Sequence, residues 1–144
     1  MIAVALDLRD PSRSGIARVA TSVARAFVAR HGGEFAITLT GPLPELDDLG
    51  ARSWGPCRLV SWRAGRYSPL PHEWSQVRAS VGRAHWYFPH WDVPFPALRE
   101  SYVVTLHDLA HLHMAGVSTL KRLVARLWMR QSLSRARRIF AVSE

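Results

Sequence analysis

A histidine and an aspartate, His107 and Asp108, stand immediately after the run Tyr102-Val103-Val104-Thr105-Leu106. An imidazole can hold or move a proton near neutral pH, and a neighbouring carboxylate can orient it or cap a following helix. A β-branched and aliphatic run bounded by polar residues reads as a strand of a buried parallel sheet. In open α/β sheets the ligand crevice lies beyond the carboxyl ends of the strands, so this pair is expected where substrates bind. His111 and His113 follow, and H-D-x-x-H-x-H invites a metal reading. Its spacing matches no common zinc motif and no cysteine joins it. The expectation is therefore no metal, with His107 facing a substrate, Asp108 as orienter or cap, and His111 and His113 as loop polarity.

Two other strand ends carry residues of interest. Ser12-Arg13-Ser14-Gly15 is a turn between a first strand and a helix, and either serine can cap that helix. Helix N-terminal amides and the helix dipole favour an anion there, so Ser14 and Gly15 are candidate phosphate-binding residues. Ala17 stands where a second glycine would complete a richer phosphate loop, and a tight turn without a ligand explains the same residues equally well. Phe88-Pro89-His90-Trp91 with Pro94-Phe95-Pro96 forms a rigid aromatic loop after another strand. Exposed rings flanked by prolines suit stacking on a sugar, which makes His90 and Trp91 cleft candidates; plain loop packing is the alternative. Ser143 closes the last strand.

The elements that must position these residues follow from periodicity. Strands are expected over residues 2–6, 35–40, 58–62, 84–88, 102–106 and 138–142. Residues 16–30 repeat apolar side chains at i, i+3, i+4, i+7 and i+8, an amphipathic helix in which Val23 and Phe27 should be buried. Gly32-Gly33 stops it. Residues 41–56, with three prolines and three glycines, read as an exposed loop with at most a short helical turn. Residues 72–81 and 119–134 are further helices, the second with Leu120, Leu123, Val124, Leu127 and Trp128 on one face. Strands alternating with such helices imply an α/β, Rossmann-like, doubly wound and mostly parallel sheet in a single domain over residues 1–144.

Composition narrows the class. At 48% hydrophobic residues the 144-residue chain can form a real core. One cysteine excludes an internal disulfide framework and suits a reducing compartment. No apolar run approaches the roughly 20 residues that span a bilayer, so a cytoplasmic protein is expected. The net charge is +8, and seven of the 19 basic residues lie between residues 119 and 138 with no acid among them. Lys121, Arg122, Arg126 and Arg130 form a stripe that could face anionic lipid on the inner face of a membrane; a solvated helix face is the plain alternative. No nucleic-acid motif accompanies it. Strand two ends in Leu39-Thr40-Gly41, without the acid that binds ribose in dinucleotide folds.

Taken in order, four segments resemble the N-terminal half of a family-4 (group 1) glycosyltransferase of the GT-B fold. They are Asp7-Leu8-Arg9 with Ser14-Gly15-Ile16-Ala17-Arg18-Val19, Trp86-Tyr87-Phe88-Pro89-His90 with Pro94, Val104-Thr105-Leu106-His107-Asp108-Leu109, and Ile139-Phe140-Ala141-Val142-Ser143-Glu144. The resemblance implies the acceptor-side domain of a retaining enzyme. Its C-terminal half would hold most of the nucleotide-sugar site, including an E-x7-E motif that this sequence lacks. It further implies a nucleotide-sugar co-substrate, a glycan or lipid-linked acceptor, no metal, Gly15 near the donor diphosphate and His107 facing the transferred sugar. Asp108 and Ser143 are motif members, and Ala17 departs from the family's usual glycine. A domain that ends directly after a strand is expected to be one half of such an architecture, with little transfer activity alone. A non-catalytic truncated or split partner that binds protein or membrane is the competing reading.

Overall fold

The computed structural model describes residues 1–9, 14–63, 71–107 and 118–142. Six strands form one sheet: β1 (Ile2–Asp7), β2 (Phe35–Gly41), β3 (Arg58–Ser61), β4 (His85–Phe88), β5 (Ser101–Leu106) and β6 (Arg138–Ala141). Their order is β3-β2-β1-β4-β5-β6, and every neighbouring pair is parallel. Among the described residues four α-helices connect them: α1 (Gly15–His31), α2 (Leu43–Asp48), α3 (Pro71–Val81) and α4 (Thr119–Arg135). The fold is α/β, Rossmann-like and doubly wound. The chain winds outward from β1 in one direction, then returns to β4 and winds outward in the other. The β1–β4 boundary is therefore the topological switch point, where such sheets open a crevice at their carboxyl edge.

Alternate residues along the central strands feed two cores. On one face Leu6, Ile37, Leu39 and Tyr87 pack against Ala20, Ala24 and Val28 of α1 and against Leu46 of α2. On the other, an aromatic column runs through Trp62, Trp74, Trp86, Phe88 and Tyr102, with ring centroids 4.9 to 5.7 Å apart along it. Val77 of α3 and Ala97 and Leu98 of a 3-10 helix (Phe95–Arg99) close that core.

Both long helices meet the protein through small side chains. α1 buries Ala17, Ala20, Ala24 and Val28. Val23 is 39% exposed, contrary to the expectation that it is buried, and Phe27 is only partly buried. Alanines let the helix backbone come close to the sheet, so the bulkier stripe Val19, Val23 and Phe27 is left on the flank. α4 behaves in the same way. Its inner line is Arg122, Ala125, Met129 and Ser132, with Met129 and Ser132 buried. Leu120, Leu123, Val124 and Leu127, read from the sequence as one apolar face, lie outside.

The stretch over residues 41–56 is more ordered than a loop. It holds α2 and a 3-10 turn (Ala51–Ser53), and it buries Leu46, Ala51 and Trp54. Gly41 is required where it stands, because a Cβ there would come within 2.6 Å of the Leu8 carbonyl oxygen.

Candidate functional site

Three strand ends converge at the switch point. At the end of β1, Asp7 and Arg9 form a bidentate ion pair: Arg9 Nε donates to Asp7 at 3.0 Å and Nη2 at 2.9 Å. The Arg9 amide also donates to Asp7 Oδ1 at 3.0 Å, so a two-residue turn holds the pair. Both side chains are buried, and the guanidinium lies 4.2 Å from the ring centroid of Trp62. A buried pair of this kind stands only because its hydrogen bonds and the aromatic face replace lost hydration.

After β4, His90 Nδ1 faces Asp92 Oδ1 at 3.0 Å, with both side chains buried. The carboxylate can only accept, so Nδ1 carries the proton and Nε2 is the ring's second functional atom. After β5, His107 Nε2 lies 2.9 Å from the Pro89 carbonyl oxygen. Here too the partner can only accept, so Nε2 donates and Nδ1 becomes the acceptor of the neutral ring. The His90 and His107 rings lie nearly parallel, 6.4 Å apart.

α1 begins over the same edge. Ser14 is its N-cap and accepts from the Ala17 amide at 3.2 Å. Gly15 follows, exposed, and a Cβ there would meet nothing within 4 Å. Asp7, Arg9, Ile16, Ala17, His90 and Asp92 line one small cavity of about 10 Å³, room for roughly one water. The switch point thus joins a helix N-terminus, a buried ion pair and a histidine–aspartate pair. Such an arrangement can receive an anionic group over α1 and hold polar atoms beside it.

His107, Ser14 and Gly15 share this carboxyl edge. His90 and Trp91 belong to it in sequence, but they are not the open aromatic platform expected. Both side chains are buried, because Trp91 packs edge-on to Trp128 of α4 and His90 lies against Trp91 and His107. Asp7 stood out in the sequence as the polar stop of the first strand, whereas Arg9 and Asp92 were not anticipated as site residues. The sequence spaces each partner two residues from the other, Asp7 with Arg9 and His90 with Asp92, at or just past the ends of β1 and β4. Asp108, His111, His113, Ser143 and the alternative cap Ser12 lie outside the described residues. Among the described residues no group of three or more histidines, cysteines or acids could hold a metal ion. Also among them, no helix is long and apolar enough to cross a membrane.

Larger concavities lie away from this cluster. A groove of about 540 Å³ on the α1 side of the sheet is almost wholly apolar, lined by Val19, Val23, Phe27, Tyr87, Val103 and Phe140 among others. It carries none of the polar groups gathered at the switch point, so the site is assigned to the carboxyl edge instead. At the opposite, amino edge, Arg78, Arg83, Arg99, Arg135 and Arg137 surround a concavity of about 1130 Å³. Basicity is therefore not confined to one helix, as the sequence suggested. Folding brings arginines from four segments together there.

The membrane-facing stripe also needs correction. Lys121, Arg126 and Arg130 are exposed, but Arg122 is half-buried on the inner line of α4. The helix is anchored by Trp128 Nε1 donating to the Val93 carbonyl at 2.6 Å and by the Tyr102 hydroxyl donating to the Ser132 carbonyl at 2.6 Å. Those anchors set the rotation of the helix and turn Arg122 inward.

Compared with protein-family models, curated proteins and solved structures, the chain matches none.

Proposed function

We propose that this chain is the acceptor-side, N-terminal domain of a retaining, nucleotide-sugar-dependent glycosyltransferase of the GT-B fold. The observation that carries the reading is the position of Gly15 and His107. Each follows a strand of one parallel sheet, β1 and β5, and only β4 lies between those strands. At the usual spacing between strands that separation is roughly 10 Å. The switch-point crevice lies between them.

In this reading the sugar leaves a nucleoside diphosphate through an oxocarbenium-like transition state. The N-terminal amides of α1 at Ser14 and Gly15 face the departing diphosphate, and His107 supplies a polar contact to the transferred sugar. The Asp7–Arg9 and His90–Asp92 pairs fix the walls of the crevice. Asp108 and Ser143 belong to the same motifs at the ends of β5 and β6. A second, nucleotide-sugar-binding half supplies the remaining contacts. The acceptor is a glycan or lipid-linked sugar, the co-substrate is a nucleotide-sugar, and no metal takes part. The single cysteine, half-buried with its thiol pushed up by burial, agrees with a cytoplasmic setting.

The test is release of nucleoside diphosphate from a panel of nucleotide-sugars by this domain paired with its nucleotide-sugar half. Donor-dependent release that His107→Ala suppresses is the expected result. No release and no nucleotide-sugar binding with any donor would refute the assignment.

A further inference from the structure

We infer that the amino-terminal half of α4 is a docking element for an anionic lipid surface, lying in the plane of the headgroups. The observation is the side of the helix that the fold leaves outside. Leu120, Leu123, Val124 and Leu127 are 70%, 53%, 49% and 55% exposed. At i, i+3, i+4 and i+7 they form one continuous stripe. Phe95 extends it: 55% exposed, its ring stacks on Trp128 at 5.1 Å and 19°. Single exposed aliphatics are ordinary, whereas four in a continuous stripe with an exposed ring beside them mark an interaction surface.

Charge selects the partner. With 3.6 residues per turn, Lys121 borders the stripe on one side and Arg126 and Arg130 on the other. All three are exposed, and no acid occurs between residues 101 and 143 other than Asp108. An apolar stripe bordered by cations along both flanks is the arrangement of an interfacial helix, with aliphatic side chains among the acyl ends and basic ones at the phosphates. The shape agrees. The stripe lies along a single helix, and its apolar part exposes on the order of 500 Å², short of the roughly 800 Å² that each partner of a stable protein complex buries. The helix lies on the bilayer and does not cross it, since it is neither long nor apolar enough.

The geometry also says what docking would accomplish. α4 runs antiparallel to the strands, so its leucines sit toward the carboxyl edge of the sheet. Trp128 ties it to Val93, one residue beyond the His90–Asp92 pair. A lipid surface under Leu120 and Leu127 therefore lies beside the switch-point crevice. The inference rests on α4 and the neighbouring Phe95, and it stands whether or not the crevice transfers a sugar.

Co-sedimentation with phosphatidylcholine vesicles, with and without about a third phosphatidylglycerol, tests it at low and high salt. The expected result is binding to the anionic vesicles only, weakened by salt. Arg126→Glu with Arg130→Glu should weaken partition more than about 25-fold, given that each basic residue near an anionic surface contributes a factor of roughly five. Leu123→Ser with Leu127→Ser should abolish binding even at low salt. Both leucines are exposed, so an unchanged circular dichroism spectrum and melting curve accompany that loss. Equal binding to neutral vesicles, no binding at low salt, or binding unaffected by the leucine replacements would each overturn the inference. So would a dimer in sedimentation that the leucine variant dissociates without any vesicle binding, which would assign the stripe to a second copy of the chain.

Discussion

His107 donates from Nε2 to the main-chain carbonyl of Pro89 at 2.9 Å, so the strand end of β4 dictates which face of the β5 histidine is its acceptor. A proline carbonyl has no amide of its own residue to offer the ladder, and this one holds a side chain. In the paired enzyme, His107→Ala is expected to lower turnover about 10- to 100-fold through loss of one polar contact to the sugar. The fold loses the half-buried hydrogen bond to Pro89, worth about 1 kcal/mol. Steady-state kinetics set against a urea titration separates the two, and a turnover unchanged by the substitution would remove His107 from the chemistry.

Asp7 and Arg9 should behave as one unit. Removing one charge, as in Asp7→Asn or Arg9→Met alone, leaves the other charge buried and is expected to cost about 3–5 kcal/mol. The double replacement Asp7→Asn with Arg9→Met should recover a large part of that loss, since methionine can still cover Trp62. Equilibrium urea unfolding of the four species reads the coupling directly. Additive losses would mean that the pair is solvated and that its place in the crevice wall is incidental.

Tyr102 makes stability depend on alkaline pH. Burial pushes its hydroxyl up to about 12, against the downward pull of Arg135. The hydroxyl donates to the Ser132 carbonyl, which a phenolate cannot do. The folded pKa is above the unfolded value of about 10, so this contribution is complete below pH 10 and is lost as pH rises toward 12. Thermal melts from pH 8 to about 12 should show a falling midpoint in the native protein and a flatter profile in Tyr102→Phe. Equal slopes in both would show that other groups govern the alkaline limb.

The strands were legible because each is an apolar run with a polar stop, and all six expected strands fall within one or two residues of those observed. The carboxyl-edge placement of His107 and Gly15 followed from that alone. Helix rotation was not legible. Periodicity marks the apolar side of α4, but the packed side is chosen by close approach, and Ala125, Met129 and Ser132 fit against the protein where leucines would not. The same preference for alanine explains Val19 and Val23 on α1. The burial of His90 and Trp91 was not legible because proline-flanked aromatics look alike whether they stack on a ligand or on Trp128. The Asp7–Arg9 and His90–Asp92 pairs depend on short turns whose direction no composition reveals.

Gly15 offers the sharpest separation between fold and function. It opens α1 with no positive backbone angle, and a methyl group there would touch nothing within 4 Å. The fold therefore has no need of glycine at this position. Replacing it with alanine restricts the unfolded chain and should stabilise the domain by about 0.4–1 kcal/mol. If the first turn of α1 receives a diphosphate, the same methyl group stands in the path of the phosphate oxygens. Gly15→Ala should then raise the denaturation midpoint while weakening nucleotide-sugar affinity about tenfold or more in the paired enzyme, the effect of losing one charge-assisted amide contact. Calorimetric titration with the preferred donor, beside a urea curve, measures both. A variant that gains stability and binds donor as tightly as the native protein would show that the turn is only a helix start, and the diphosphate would have to be sought elsewhere along the β1–β4 crevice.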